Sequence, residues 1–132
     1  MNPFGSYRAL HNNSKAAIVS AIEIYNKPKF SYRDECSIIL LVNAWELLLK
    51  AILSKNRKRI YYPKKRNEKY RTLTIQDALE QAKEYFPKDV AFEPVAKNLD
   101  LLTLYRNNTI HFYNQGGISV VLYGLLQTCI VN

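Results

Sequence analysis

The chain has 132 residues, of which 48% are hydrophobic, and a formal net charge of +8 at pH 7. This length suits one domain with a single core, and the hydrophobic content excludes an intrinsically disordered chain. With four glycines and five prolines, the composition favours long helices over a many-stranded sandwich. We therefore predict a single all-α domain over residues 1–132.

The apolar periodicity predicts an up-and-down bundle of four to five helices, with Pro and capping residues at their ends. The predicted bounds, in chain order, are helix one from Tyr7 to Asn26, helix two from an N-cap at Ser31 to Ser54, helix three from an N-cap at Thr74 to a stop at Pro87, helix four from Pro94 in its first turn to Tyr113, and helix five from Ile118 to the last residue.

The first residues and the apolar runs of the chain indicate the cellular compartment of the protein. The first residues, MNPFGSYRAL, contain no apolar signal segment. The most apolar run, CSIILLVNAWELLLKAIL, contains Asn43, Glu46 and Lys50, which indicates a buried helix and not a membrane span. Cys36 and Cys129 lie in apolar stretches, which fits buried thiols in a reducing compartment, and we expect a cytoplasmic protein without membrane association. The closing LLQTCIVN has no stop signal, so we expect the N-terminal part of a longer protein.

The positive charge is concentrated between helices two and three. Residues 55–71 contain nine basic residues and one acid, Glu68, whereas the rest of the chain has ten residues of each sign. The helical period is lost in this basic segment, and RIYYP and KYRTLT have β-type composition around a charged turn. A basic loop or a short β-hairpin is therefore expected as an insertion between the two helices.

Cations interleaved with tyrosines can follow a phosphate backbone and stack unpaired bases, so a nucleic acid is the expected partner. A solvated loop and a site for an acidic partner protein are the alternatives. The candidate nucleic-acid-binding residues are Arg57, Lys58, Arg59, Tyr61, Tyr62, Lys64, Lys65, Arg66, Lys69, Tyr70 and Arg71.

Three polar residues form one line on the otherwise apolar helix two. At about 100° per residue, Asn43, Glu46 and Lys50 fall within about 60° of one another. Either the line faces solvent, with Glu46 and Lys50 as an ordinary i, i+4 pair, or it faces another polar element inside the bundle.

Helix four carries an arginine in its apolar stripe. A buried guanidinium stays charged and needs a partner, for which Glu46 is the candidate. Asn107 and His111 are i, i+4 neighbours beside Arg106, so these three residues offer a fixed charge, an amide and a group that titrates near neutral pH. The stripe that shares one face with the arginine is Val95, Leu99, Leu102, Arg106, Ile110 and Tyr113.

A second apolar face of helix four contains Leu101, Tyr105 and Phe112. A helix with two apolar faces must cover both, which predicts a homodimer through helix four. His11 is isolated on helix one and is expected at the surface. Since no His/Cys or Asp/Glu cluster has ligand spacing, no metal or other cofactor is predicted.

The motif RNNTIH at 106–111 resembles the Arg–polar–x–x–x–His signature of the HEPN superfamily (higher eukaryotes and prokaryotes nucleotide-binding). AWELLLKAIL resembles the preceding helix of that superfamily, which often carries a glutamate and a lysine one turn apart. These stretches are also similar to a bacterial group known only as a domain of unknown function. The basic insertion is not a general HEPN feature, so its role does not follow from the resemblance.

The resemblance implies a metal-independent endoribonuclease of toxin–antitoxin or phage-defence type, in which the motif helices of two subunits form a composite cleft. It makes Arg106 and His111 the catalytic pair and Asn107 a supporting polar residue. An acidic antitoxin or partner domain is then a second candidate partner. A catalytically inactive HEPN-like module that binds nucleic acid or a nucleotide, and a structural unit in which Arg106 and Glu46 are only a buried pair, remain alternatives. The supporting residues on helix two are Asn43, Glu46 and Lys50.

Overall fold

The computed structural model describes residues 3–29 and 31–111, without the side chains of residues 109–111. Helices dominate this part of the chain, and no β-strand occurs within it, which confirms the all-α prediction. Helix five and the end of helix four at Tyr113 lie outside the described residues. The elements are α1 (Tyr7–Tyr25), α2 (Arg33–Lys55), α3 (Ile75–Ala82), a 3-10 turn (Lys83–Tyr85) and α4 (Phe92–His111).

Helices α1 and α2 form an antiparallel hairpin with small side chains between them. On α2, Ser37, Ala44 and Ala51 are buried, and their seven-residue spacing places them on one side of the helix. Small side chains let the two helix axes approach closely, and the Ser14 hydroxyl of α1 donates a hydrogen bond to the Ala44 carbonyl oxygen at 3.1 Å. The buried residues of α1 are Ser14, Ala17 and Ala21.

Large apolar side chains cover the other side of α2. They form one core with α3 and α4, so α2 is the central helix and contacts the other three. Burial of a large aliphatic side chain contributes about 1.5–3 kcal/mol, which makes this side the main source of stability. Its core residues are Ile38, Leu41, Val42, Leu49 and Leu53 of α2, Ala78, Leu79 and Ala82 of α3, and Val95, Leu99 and Leu102 of α4.

The central helix is also long and apolar enough to cross a membrane. It has 23 residues, and its most apolar window has a mean hydropathy of 1.9, with 50% of that window buried inside the bundle. The covered central helix of a bundle has the same length and composition, so these two properties alone are weak evidence for a membrane span.

Two of the three predicted N-terminal features of the helices are present. Thr74 caps α3, with its hydroxyl accepting a hydrogen bond from Asp77 N–H at 3.2 Å, and Pro94 lies in the first turn of α4. The prediction of Ser31 as the cap of α2 is wrong, because the N-cap is Tyr32 and its side chain makes no capping bond. In place of a capping bond, Asp34 and Glu35 put two carboxylates in the first turn. Their negative charge interacts favourably with the positive end of the helix dipole.

Helix α2 ends in a Schellman motif built on an arginine. Lys58 N–H donates to Leu53 O at 2.8 Å, and Arg57 N–H donates to Ser54 O at 3.1 Å. Arg57 has a φ of 57°, a left-handed conformation that glycine adopts in most such motifs and that an L-residue adopts at some cost. The Schellman motif therefore fixes the backbone of Arg57, near the start of the basic segment.

The connection between α2 and α3 is a loop closed by one antiparallel bridge, between Tyr61 and Thr72. Leu73 N–H donates to Ile60 O at 2.9 Å, and both side chains are buried with 4% exposure. Of the two expected forms, the basic loop is the one observed, and a hairpin of two strands is not. Pro63 follows the bridge and has no N–H with which to extend a ladder.

Candidate functional site

The core-facing stripe of α4 leads directly to Arg106. Val95, Leu99 and Leu102 are buried at 6%, 2% and 0% exposure, as the apolar spacing predicts. Arg106 follows Leu102 by four residues on the same face and is half-buried. The further stripe positions, the Ile110 side chain and Tyr113, lie outside the described part of the chain.

The guanidinium of Arg106 is held at one edge and unsatisfied at another. Its Nη2 donates to Asn107 Oδ1 at 3.4 Å, a long bond to an exposed neighbour. Its Nε is buried and has no hydrogen-bond acceptor among the described residues. A buried donor without an acceptor costs about 1–3 kcal/mol, and more when it is charged, so an acceptor supplied from outside would be favourable.

Glu46 pairs within its own helix and not with Arg106. Lys50 Nζ lies 3.4 Å from Glu46 Oε1, and the two side chains are 7% and 26% exposed. The expected Arg106–Glu46 ion pair is therefore wrong for the described residues, because the buried ammonium of Lys50 is one turn away and takes the carboxylate. Asn43 is exposed, so the polar line of α2 runs from solvent at Asn43 to the interior at Lys50.

The structure describes the side chain of only one of the two histidines. His11 is exposed on α1, which confirms the expectation of a surface residue. His111 is the last residue of α4, one helical turn beyond Asn107, and its side chain lies outside the described part. Its pairing with Arg106 and Asn107 therefore stays a prediction.

The turn of the basic segment is organised by its single acid. Glu68 N–H donates to Lys65 O at 3.1 Å, and the Glu68 carboxylate accepts from Lys65 N–H at 3.1 Å. Asn67 between them has a φ of 76°, a conformation that asparagine tolerates. Lys64 Nζ donates to Glu68 O at 3.0 Å. The carboxylate is therefore used to shape the loop, while all nine cations of residues 55–71 remain exposed.

The three tyrosines of the basic segment divide into two roles. Tyr61 and Tyr62 are half-buried against the core, whereas Tyr70 is 49% exposed. The Tyr70 ring lies edge-on to Tyr61, with centroids 6.0 Å apart, and Lys64 Nζ is 4.5 Å from its centre. Tyr70 is therefore the ring of this set best placed to stack on a base, next to a cation that can contact phosphate.

Tyr62 fastens the loop to α3. Its hydroxyl accepts from Thr74 N–H at 3.1 Å and bonds the Asp77 carboxylate, and the Arg71 guanidinium lies 5.5 Å from its ring centre. This contact was not predicted from the sequence. Tyr62 is twelve residues from Thr74, and no local pattern encodes a bond across that distance.

The two groups of candidate residues are not joined in the described part of the chain. No hydrogen bond or ion pair links the basic segment to Arg106 or Asn107 there. The described ranges also contain no group of three or more His, Cys, Asp or Glu side chains able to hold a metal ion. The Cys36 thiol is free and half-buried, and Cys129 is not among the described residues.

The second apolar face of α4 is partly at the surface. Leu101 and Leu104 are 46% and 55% exposed, whereas Tyr105 is half-buried and packs against the core. Leu104 lies one turn before Asn107, so the exposed leucines adjoin the polar end of the helix. Phe112, also expected on this face, is beyond the described residues.

A family model described as "Domain of unknown function (DUF3644)" matches residues 9–132. The chain belongs to this family. The DUF3644 match starts in α1 and includes both the basic segment and the 106–111 motif, which confirms the prediction of a domain-of-unknown-function family. The relation to HEPN proteins stays a prediction. None of the curated proteins or solved structures compared with this DUF3644 domain matches it significantly.

We expect Tyr62→Phe to loosen the basic segment without unfolding the bundle. Loss of the hydroxyl removes the acceptor for Thr74 N–H, worth about 1 kcal/mol, so amide hydrogen exchange at Thr74 should rise roughly fivefold. Tyr70→Phe is the matched control, since no hydrogen bond of the Tyr70 hydroxyl occurs among the described residues. Equal exchange rates in the two variants would contradict the fastening role.

Proposed function

We propose that this domain is a HEPN-like, metal-independent endoribonuclease of a toxin or phage-defence type. The observation that carries the proposal is the Arg106 guanidinium, which follows a buried stripe, with one N–H bonded to Asn107 and a buried Nε–H that has no acceptor among the described residues. A planar guanidinium with free N–H groups suits the oxygens of a phosphodiester. The HEPN-like motif supplies the histidine that the chemistry requires.

The proposed reaction is transesterification of RNA. The ribose 2′-oxygen attacks phosphorus, its proton passes to a base, the bond to the 5′-oxygen breaks, and that oxygen receives a proton. The products are a 2′,3′-cyclic phosphate and a 5′-hydroxyl. His111 is the proposed acid or base, because an imidazole is available in both forms near pH 7. Arg106 stabilises the phosphorane charge, and Asn107 orients the guanidinium.

A homodimer through α4 would complete the chemistry. One histidine provides one proton-transfer group, whereas the reaction uses two, and a twofold axis would bring a second His111 to the cleft. The exposed Leu101 and Leu104 support this arrangement, because they offer apolar area in the two turns before Asn107.

The basic segment is the proposed RNA-binding surface. Its cations are exposed and its turn is held by Glu68, so the charge is presented on a preformed loop. A polyanionic strand would contact several of these cations at once. An RNA substrate and the free thiol of Cys36 both fit a cytoplasmic location.

A catalytically inactive nucleic-acid or nucleotide-binding and dimerisation module is the second candidate. It is favoured by the separation of the two groups, since the basic segment is ordered by its own contacts and has no bond to Arg106 in the described part. Such a surface binds a strand whether or not the strand is cut.

We expect His111→Ala to abolish RNA cleavage measured in EDTA. Removal of a general acid or base lowers rates by about 10²–10⁴, and the cyclic phosphate end should disappear from the products. His11→Ala, at the other and exposed histidine, is the matched control and should cleave like the wild type. Cleavage that survives in the His111 variant would remove this residue from the mechanism.

Neutralising Lys64, Lys65 and Arg66 to Gln should weaken binding of a single-stranded RNA and flatten its salt dependence. Each lost phosphate contact lowers the slope of log K against log salt by about 0.7, so the slope should fall by about 2. The control carries the same charge change at the exposed Lys15, Lys88 and Lys97. Equal slopes in both variants would mean that net charge, and not this surface, binds the RNA.

Leu104→Glu should dissociate the dimer, because two carboxylates would meet at the twofold contact. Sedimentation velocity should show a shift from dimer to monomer, with cleavage lost in parallel. Val19→Glu, at an exposed apolar residue of α1 (52% exposed), is the control and should leave the sedimentation coefficient unchanged. A wild-type protein that is monomeric while active would refute the composite site.

A further inference from the structure

A cation-lined cleft lies where the start of the described chain meets the end of α2. Its volume is about 530 Å³, within the range of roughly 300–1,000 Å³ for small-ligand sites. None of the described residues that line it is acidic. The lining residues are Phe4, Gly5, Ser6, Tyr7, Arg8, Ser54, Lys55 and Arg57.

The three cations of the cleft are not neutralised. Arg8, Lys55 and Arg57 are exposed, and within the described ranges none of them pairs with a carboxylate. Arg8 Nε donates to the Tyr7 hydroxyl at 3.5 Å. That hydrogen bond and the charge of Arg8, together with the charge of Lys55, lower the pKa of Tyr7 below its ordinary value. Arg8 and Lys55 thus act on the same hydroxyl, and the cleft is electropositive.

The same cleft contains accessible aromatic surface. Phe4 is 38% exposed and Tyr7 is 41% exposed. The Arg8 guanidinium lies 5.9 Å from the centre of the Tyr7 ring. Rings beside cations that have no carboxylate partner in the described part match the two parts of a nucleotide, a flat base that stacks and a phosphate that binds positive charge. The proposed binding does not use the N-terminus of α1. Its N-cap, Ser6, already accepts a hydrogen bond from Ala9 N–H at 3.4 Å.

We propose that this cleft binds one nucleotide unit. Its phosphate is held by the three cations, and its base lies against an exposed ring of the lining. The unit belongs either to a single strand or to a free mononucleotide, which share this chemistry. A strand could continue along the basic segment, because Ile60 N–H donates to Pro3 O at 3.0 Å and joins the two surfaces. The proposal does not depend on cleavage at Arg106.

The first experiment titrates the wild-type protein with adenosine 5′-monophosphate and follows backbone amide shifts by NMR. Shifts should concentrate in residues 4–8 and 54–57, and adenosine without phosphate should bind at least tenfold more weakly. The double variant Arg8→Gln/Lys55→Gln should weaken binding of the monophosphate at least tenfold. Lys15→Gln/Lys97→Gln has the same charge change at exposed positions and should bind like the wild type.

A second variant separates binding from folding. Arg57→Gly removes one cation and places glycine at a φ of 57°, where glycine is the favoured residue, so the melting temperature should not fall. Binding of the monophosphate should still weaken.

Binding of a labelled single-stranded RNA shows whether the nucleotide unit belongs to a strand or is a free mononucleotide. Weaker RNA binding by the Arg8/Lys55 double variant, with a salt slope smaller by about 1.4, supports a strand. Unchanged RNA binding with weakened monophosphate binding supports a free nucleotide in the same cleft. Adenosine binding as well as its monophosphate, or equal binding by the double variant and its control, overturns the proposal. Because the monophosphate has no scissile bond, these results are independent of the cleavage assay.

Discussion

The structure depends on the need to cover one apolar helix, α2, on nearly every side. The two sides of α2 are covered by side chains of different size. Ser37, Ala44 and Ala51 accept α1 at close range, whereas large aliphatic side chains fill the space towards α3 and α4. Such a helix has few positions for polar groups: Lys50 pairs with Glu46 and Asn43 reaches solvent, whereas the buried Ser37 hydroxyl has no hydrogen-bond partner in the described part.

Two cations in apolar helices illustrate the consequence of that constraint. Lys50 is buried and has the Glu46 carboxylate at 3.4 Å, so its charge is compensated inside the helix and needs no ligand. Arg106 is half-buried and has an amide neighbour at 3.4 Å, but its Nε has no acceptor in the described part. A compensated ion pair is sufficiently explained by structure. The phosphodiester that we propose as the ligand would give the Arg106 guanidinium a further acceptor.

Most of the helical architecture was predictable because it is periodic or local. The spacing of Val95, Leu99 and Leu102 encodes the buried stripe, and Thr74 with Asp77 encodes the start of α3. One error concerns the start of α2, at Tyr32 and not at Ser31, and the other concerns a choice between competing partners. The carboxylate of Glu46 could pair along its own helix or across the bundle, and periodicity carries no distance between helices.

The site was predictable to a smaller extent for the same reason. The sequence predicted a contact of Asn107 with His111, one turn further on, whereas the observed hydrogen bond of Asn107 is to its chain neighbour Arg106, a contact that helical periodicity does not predict. The role of Tyr62 does not follow from the sequence either, because its hydroxyl meets Thr74 and Asp77 only after the loop has folded back. The Arg8–Lys55 juxtaposition likewise requires α1 and α2 to be packed antiparallel, which brings the first turn of one helix to the last turn of the other.

The basic segment carries the whole net charge of the chain. Nine cations in residues 55–71 repel one another, while the rest of the chain has equal numbers of acidic and basic residues. The loop is nevertheless held in one conformation by contacts that do not neutralise it. These contacts are the bridge at Tyr61, the Tyr62 hydroxyl, the Glu68 turn and the left-handed Arg57. These contacts keep like charges together and concentrate positive charge on the loop, and a polyanion is the partner that we propose for it. Lys55 and Arg57 also line the cleft at Tyr7, so the basic segment and the nucleotide cleft that we propose share two cations.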